Sequence, residues 1–90
     1  MTAPLPLGRV VATPGALQAM SDAREHPFGY LARHATGEWG ELCALDRREN
    51  GLALRHGYRV LSSYPVGEGR VWVITEADRS VTTILLPEEY

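Results

Sequence analysis

Ninety residues, 44% of them hydrophobic, make one domain (1–90) with room for a single core but little for a deep enclosed active site. The net charge of −2 is spread evenly: residues 1–57 carry six Arg against six acids, and 58–90 three Arg against five, so no basic stripe draws a phosphate backbone and direct nucleic-acid binding is disfavoured. Cys43 alone excludes a disulfide framework, no stretch approaches a membrane span, and Met1–Leu7 lacks the basic start and long apolar run of a signal peptide, which together predict a cytoplasmic protein.

Leu7–Thr13 is short and β-branched at Val10, Val11 and Thr13, and predicts a first strand. Thr13-Pro14 is a helix start: Thr offers a capping oxygen, and Pro costs no hydrogen bond at the first helical position. This helix is expected to reach Ala23 with Leu17 and Met20 facing inward. His26-Pro27 opens a second short helix, with Phe28, Leu31 and Ala32 as its apolar stripe. Gly37 and Gly40 end it and bracket Trp39, which is expected to close over the edge of the core.

Asp46 with Glu49 three residues on resembles a capping box and predicts a third helix, whose turn could also begin at Glu41. Leu45, Leu52 and Ala53 are its expected buried side, and Gly57 its left-handed stop. Three strands follow. Tyr58–Tyr64 places Tyr58, Val60, Ser62 and Tyr64 on one face. Arg70–Thr75 and Val81–Leu86 are apolar on both, as central or covered strands are. Pro87-Glu-Glu-Tyr90 stops the pairing. The fold class is therefore α+β: a short N-terminal strand, three helices, then a three-stranded antiparallel meander, with the helices on one face of the sheet. The other face would leave Trp72 or Tyr64 for a partner, since aromatic side chains dominate such surfaces.

No metal or other cofactor is expected. His26, His34 and His56 have no neighbour at ligand spacing, and Val66-Gly-Glu-Gly69 lies between strands, where it makes a hairpin turn rather than a phosphate loop. Cys43 reads as a small buried hydrophobe. The polar residues at the ends of the meander admit two readings. As chemistry, cleavage of RNA by 2′-hydroxyl attack needs a base, an acid and cations on the phosphate; Glu76, His34, and Arg59 with Arg79 are the candidates. As structure, Asp78 caps its turn, Arg79 pairs with Glu76 or Glu88, and the hydroxyls of Ser62, Ser63, Thr82 and Thr83 are ordinary strand residues. As a surface read by a partner, the candidates are Arg59, Tyr64, Trp72, Glu76, Asp78 and Arg79.

Two resemblances bear on these readings. The run Arg59-Val-Leu-Ser-Ser, a short turn, Val-Trp-Val-Ile-Thr-Glu-Ala-Asp-Arg and then Thr82-Thr83 resembles the C-terminal meander of barnase-type ribonucleases. That implies a metal-independent ribonuclease or toxin, but the position of the family's catalytic His is Arg79, and a permanently charged guanidinium cannot serve as that acid. The blocks Leu7-Gly-Arg-Val-Val-Ala-Thr-Pro-Gly-Ala-Leu17, Gly37-Glu-Trp-Gly-Glu-Leu42 and Ile74 to Tyr90 resemble a widespread group of small bacterial proteins of plasmids and other mobile elements. This second resemblance implies accessory cargo of mobile DNA, where small proteins often counter host defences or act as toxins. With the acidic balance and the aromatic face it leads to the expectation of a protein that binds a host protein or nucleoprotein complex, such as an anti-CRISPR or antirestriction factor. A third reading is a homodimerising ligand-binding module.

Overall fold

The computed structural model describes residues 4–90, so the reading of Met1–Ala3 lies outside the described residues. The chain runs β1 (Arg9–Ala12), α1 (Pro14–Asp22), α2 (Pro27–Ala35), α3 (Ala44–His56), β2 (Val60–Val66), β3 (Gly69–Thr75), β4 (Val81–Leu85) and a short 3-10 turn (Pro87–Glu89). The strands form one sheet in the order β1-β4-β3-β2. β2, β3 and β4 are the expected antiparallel meander, whereas β1 runs parallel to β4, with Arg9 opposite Val81 and Ala12 opposite Ile84. The sheet is thus four-stranded and mixed. A helical crossover carries the chain from β1 to the meander, and such a connection is long enough to bring a strand home parallel.

Strand alternation sorts the side chains. Val60, Ser62, Tyr64, Val71, Val73, Thr75, Thr82 and Ile84 share one face and are all fully buried. α1 and α2 cover this face, adding Ala16, Met20, Tyr30 and Leu31 to its core. Helix starts follow local chemistry: the Thr13 side chain accepts from the Ala16 amide ahead of Pro14, and the His26 ring accepts from the Phe28 amide ahead of Pro27.

The helices are rotated from the expected apolar stripes. Leu17 and Phe28 point outward at 48% and 73% exposure, and the buried positions are Ala16 and Met20 in α1 and Tyr30, Leu31 and His34 in α2. Ala16 and Met20 carry α1 onto the core, with Ala19 of the same helix and the flanking Ala12 and Ala23 packed partly buried against it. α3 differs more. It starts at Ala44 with Cys43 at its N-cap, so Asp46 and Glu49 lie inside the first turns and form no capping box. Leu45 and Leu52 are exposed, and the buried residues are Asn50 and Ala53. Cys43 is exposed, not a buried hydrophobe, and donates to Asp46 Oδ2 at 3.3 Å. Gly57 does stop the helix in the left-handed region, at φ 74°.

Asn50 explains why α3 turns a polar side to the sheet. Its amide donates to the Leu61 carbonyl, and its oxygen accepts from the Leu61 amide at 3.0 Å, which satisfies the otherwise open edge of β2. The segment at 39–41 seals the same edge further along: the Ser63 amide donates to the Trp39 carbonyl and the Glu41 amide to the Ser63 carbonyl. A Cβ on Gly40, at φ 70°, would collide with the Ser63 carbonyl and the Tyr64 ring, so only glycine fits there.

Candidate functional site

The turn between β3 and β4 holds its own residues firmly. Asp78 Oδ1 accepts from the Ser80 amide at 3.0 Å and from the Ser80 hydroxyl at 2.6 Å, and these bonds hold its carboxyl below the usual carboxylate range. Arg79 takes a positive φ of 63°, unusual for a side chain with a Cβ. Its guanidinium does not pair with the Glu76 or Glu88 carboxylate. Nη1 donates to the carbonyls of Tyr58 at 2.6 Å and Glu76 at 3.2 Å, and Nη2 to that of Ala53 at 3.0 Å. The Ala53 carbonyl also receives the Gly57 and Tyr58 amides, so Arg79 closes the C-terminal end of α3, where a helix favours positive charge.

Glu76 points to the other side. Its carboxylate pairs with Arg59 Nη2 at 3.2 Å, while Arg59 Nη1 donates to the Tyr90 hydroxyl at 2.5 Å. The neighbouring Glu76 charge holds the Arg59 guanidinium above its ordinary pKa. Tyr90 stands edge-on to Trp72, with ring centroids 5.7 Å apart. Arg59, Trp72 and Tyr90 therefore form one group on the face of the sheet that α1 and α2 leave uncovered.

His34 belongs to the opposite, buried face. It is fully enclosed, with Nδ1 2.5 Å from Ser62 Oγ and Nε2 2.8 Å from Thr75 Oγ1. Thr75 Oγ1 lies 2.7 Å from Thr82 Oγ1, which donates to the Leu7 carbonyl at 2.7 Å. That terminal carbonyl can only accept, so it orients the whole chain. Thr82 gives its proton to Leu7, Thr75 gives its own to Thr82, and Nε2–H of His34 supplies Thr75. Nδ1 then stands bare and accepts from Ser62. The ring is neutral, and burial, helped by the charge of Arg79, pushes its pKa down to about 4. A neutral imidazole with both nitrogens committed inside the core has no proton to deliver to a leaving group in solvent.

The four ribonuclease candidates thus pair off separately: Glu76 with Arg59, Arg79 with three carbonyls, and His34 with two hydroxyls. No one space holds all four: His34 and Arg79 both border one cleft, from which Arg59 and Glu76 are absent. Of the partner-binding candidates, Tyr64 is corrected by the structure: it is fully buried, burial pushes its phenol up to about 12, and its hydroxyl donates to the Glu38 carbonyl at 2.6 Å. Arg59, Trp72 and Glu76 remain accessible, while Asp78 and Arg79 hold the turn. Among the described residues no group of three His, Cys, Asp or Glu side chains is arranged to hold a metal ion, and no helix is long and apolar enough to cross a membrane.

The alternation of the strands already contained a signal for the His34 network. Ser62, Thr75 and Thr82 fall on the same face as Val60, Val71, Val73 and Ile84, and hydroxyls on a core face require an internal partner. A second unforeseen feature is a cleft of about 420 Å³ beside the network, whose walls include Leu5, His34, Ala35, Trp39, Leu54 and Arg79. Comparison of the chain with protein-family models, with characterised proteins and with solved structures returns no match. Function therefore rests on this geometry.

Proposed function

We propose that the protein acts by stoichiometric binding to a macromolecular partner, a host protein or nucleoprotein complex, through the uncovered face of its sheet. The observation that carries this reading is the Trp72–Tyr90 pair, set edge to face beside Arg59, on the face opposite α1 and α2, where Ser63, Ile74 and Leu85 are buried and Trp72 is only half-buried. Trp and Tyr side chains on a rigid sheet lose little conformational freedom on binding, and together with Arg they supply most of the energy at protein interfaces. Arg59 and Glu76 add charges of both signs at the rim. An anti-defence role, as an anti-CRISPR or antirestriction factor, accords with the resemblance to mobile-element proteins and with the acidic balance. Catalysis is disfavoured because His34 is sealed in the core and Arg79 occupies the position of the acid.

Immobilised protein should retain a partner from host lysate at low and moderate salt, and Trp72→Glu should release it while the fold is kept. No partner retained at either salt, or equal retention by the variant, would count against the proposal. A single species at twice the monomer mass, lost in Trp72→Glu, would redirect the same face to homodimerisation. RNA incubated with the protein in EDTA should stay intact.

A further inference from the structure

An open cleft of about 420 Å³ falls within the size range of small-ligand sites, which begin at roughly 300 Å³. It shares no residue with the Trp72–Tyr90 face. Leu5, Ala35, Leu54 and the indole of Trp39 make its apolar walls, and His34 lies behind them with both ring nitrogens already engaged. What remains for a ligand is of one kind. Trp39 Nε1–H is sealed from solvent and lacks an acceptor among the described residues, so only the face of the indole is offered to the cleft. Arg79 has five N–H donors, of which three are spent on carbonyls, and no carboxylate lies within ion-pair distance of it among the described residues. No Asp or Glu lines the cleft.

A cleft with apolar walls and a permanent cation selects against amines, which would bring a second positive charge beside Arg79, and favours an anion over a neutral acceptor. The geometry points to a binding site for a small apolar monocarboxylate, whose hydrocarbon body fills the Leu5–Trp39–Leu54 cleft and whose carboxylate accepts from the free donors of Arg79. Charge-assisted bonds of this kind are the strong ones. The site lies where the end of α3, the end of α2 and the β3–β4 turn meet, so occupancy would tie these three elements together.

Phenylacetate, phenylacetamide and phenethylamine share one ring and differ in the charge of the head group, which makes them the probes. Titrated into the intact protein and followed by the indole N–H resonance of Trp39, phenylacetate should shift that signal saturably, with a Kd on the order of 1 mM or tighter for a ligand of this size. Phenylacetamide should bind about tenfold more weakly, and phenethylamine should leave the resonance unmoved. Arg79→Gln should weaken phenylacetate by about tenfold or more, but it also loosens α3. Leu54→Glu is therefore the deciding variant: Leu54 is 46% exposed, so the fold tolerates the change, and the new carboxylate repels the ligand. Loss of phenylacetate binding in folded Leu54→Glu supports the site. Unchanged binding in that variant, equal binding of the amine, or no response to phenylacetate overturns it.

Discussion

The two faces of the sheet are built from the same alternating strands, yet they treat polar side chains in opposite ways. On the covered face Ser62, Thr75 and Thr82 have no solvent exposure, and each hydroxyl is tied into a single directed chain through His34 to the Leu7 carbonyl. On the uncovered face Arg59, Glu76 and Arg70 keep a third to a half of their side-chain surface in water and pair at 3.2–3.3 Å. A buried hydroxyl is tolerated only with a partner, so the first face is constrained at every position. The second buries Ser63, Ile74 and Leu85 but leaves its charged side chains at the rim in water. Under the proposed function, structure and recognition fall on opposite sides of one sheet.

The division is tested hardest by removing one aromatic side chain from each face. Tyr64→Ala takes away a fully buried ring that packs against Tyr30, lies under the Arg33 guanidinium at 4.4 Å and holds the Glu38 carbonyl. Its cost should be about 3–5 kcal/mol. That is most of the roughly 5–10 kcal/mol a domain of this size possesses, so urea denaturation should find the variant close to unfolded.

His34→Gln comes next. It interrupts the hydroxyl chain at its centre and should cost about 2 kcal/mol, because buried donors and acceptors are left unmatched. Its signature is the pH dependence. The folded-state pKa of about 4 lies below the ordinary 6.5, so between those values the unfolded chain binds the proton and the folded protein resists it. Stability is therefore complete above pH 6.5 and falls as pH drops toward 4, by roughly 3 kcal/mol in all. The Gln variant should lack this acid-sensitive component. Equal slopes of stability against pH in the two proteins would show that His34 is not the group responsible.

The elements that could be read from the sequence are those whose signals are local. Thr13-Pro14, His26-Pro27 and Gly57 mark helix ends through their own backbone and side-chain chemistry, and the meander declares itself by alternation and by Gly67 in its hairpin. The parallel pairing of β1 with β4 was not readable, because it depends on where the helices return the chain. The burial of Leu45 and Leu52 was misjudged for a related reason: apolar spacing within α3 says nothing about the edge of β2, and it is Asn50 that the edge requires. At the site, Asp78 and Ser80 interact within one turn and were accessible to local reasoning. The union of Ser62, Thr75 and Thr82 through His34 spans residues 34 to 82, and the cleft of Leu5, Trp39 and Leu54 joins three distant segments. Neither has a local signature.

A milder test concerns Trp72. It is half-buried, and its neighbours on the uncovered face are Tyr90 and the strand residues beside it. Trp72→Ala should therefore cost only about 1 kcal/mol in urea denaturation, against the large loss at Tyr64. A loss as large as that of Tyr64→Ala would mean that the face regarded as free is a second core.

The smallest expected effect bears most directly on recognition. Arg59 and Glu76 form an ion pair whose side chains are 48% and 37% exposed, and water at such exposure screens most of the attraction. A double-mutant cycle with Arg59→Gln and Glu76→Gln should give a coupling below about 1 kcal/mol. Raising the salt should diminish it further, since the Debye length falls from about 10 Å at 0.1 M to about 3 Å at 1 M. The reason this matters lies in the second hand of Arg59, which holds the Tyr90 hydroxyl beside Trp72. If the ion pair is weak, the guanidinium and both rings are free to reorient toward a partner without sacrificing the fold. A coupling of several kcal/mol, insensitive to salt, would instead make the group a rigid brace, and the uncovered face would have to bind in the one shape it already holds.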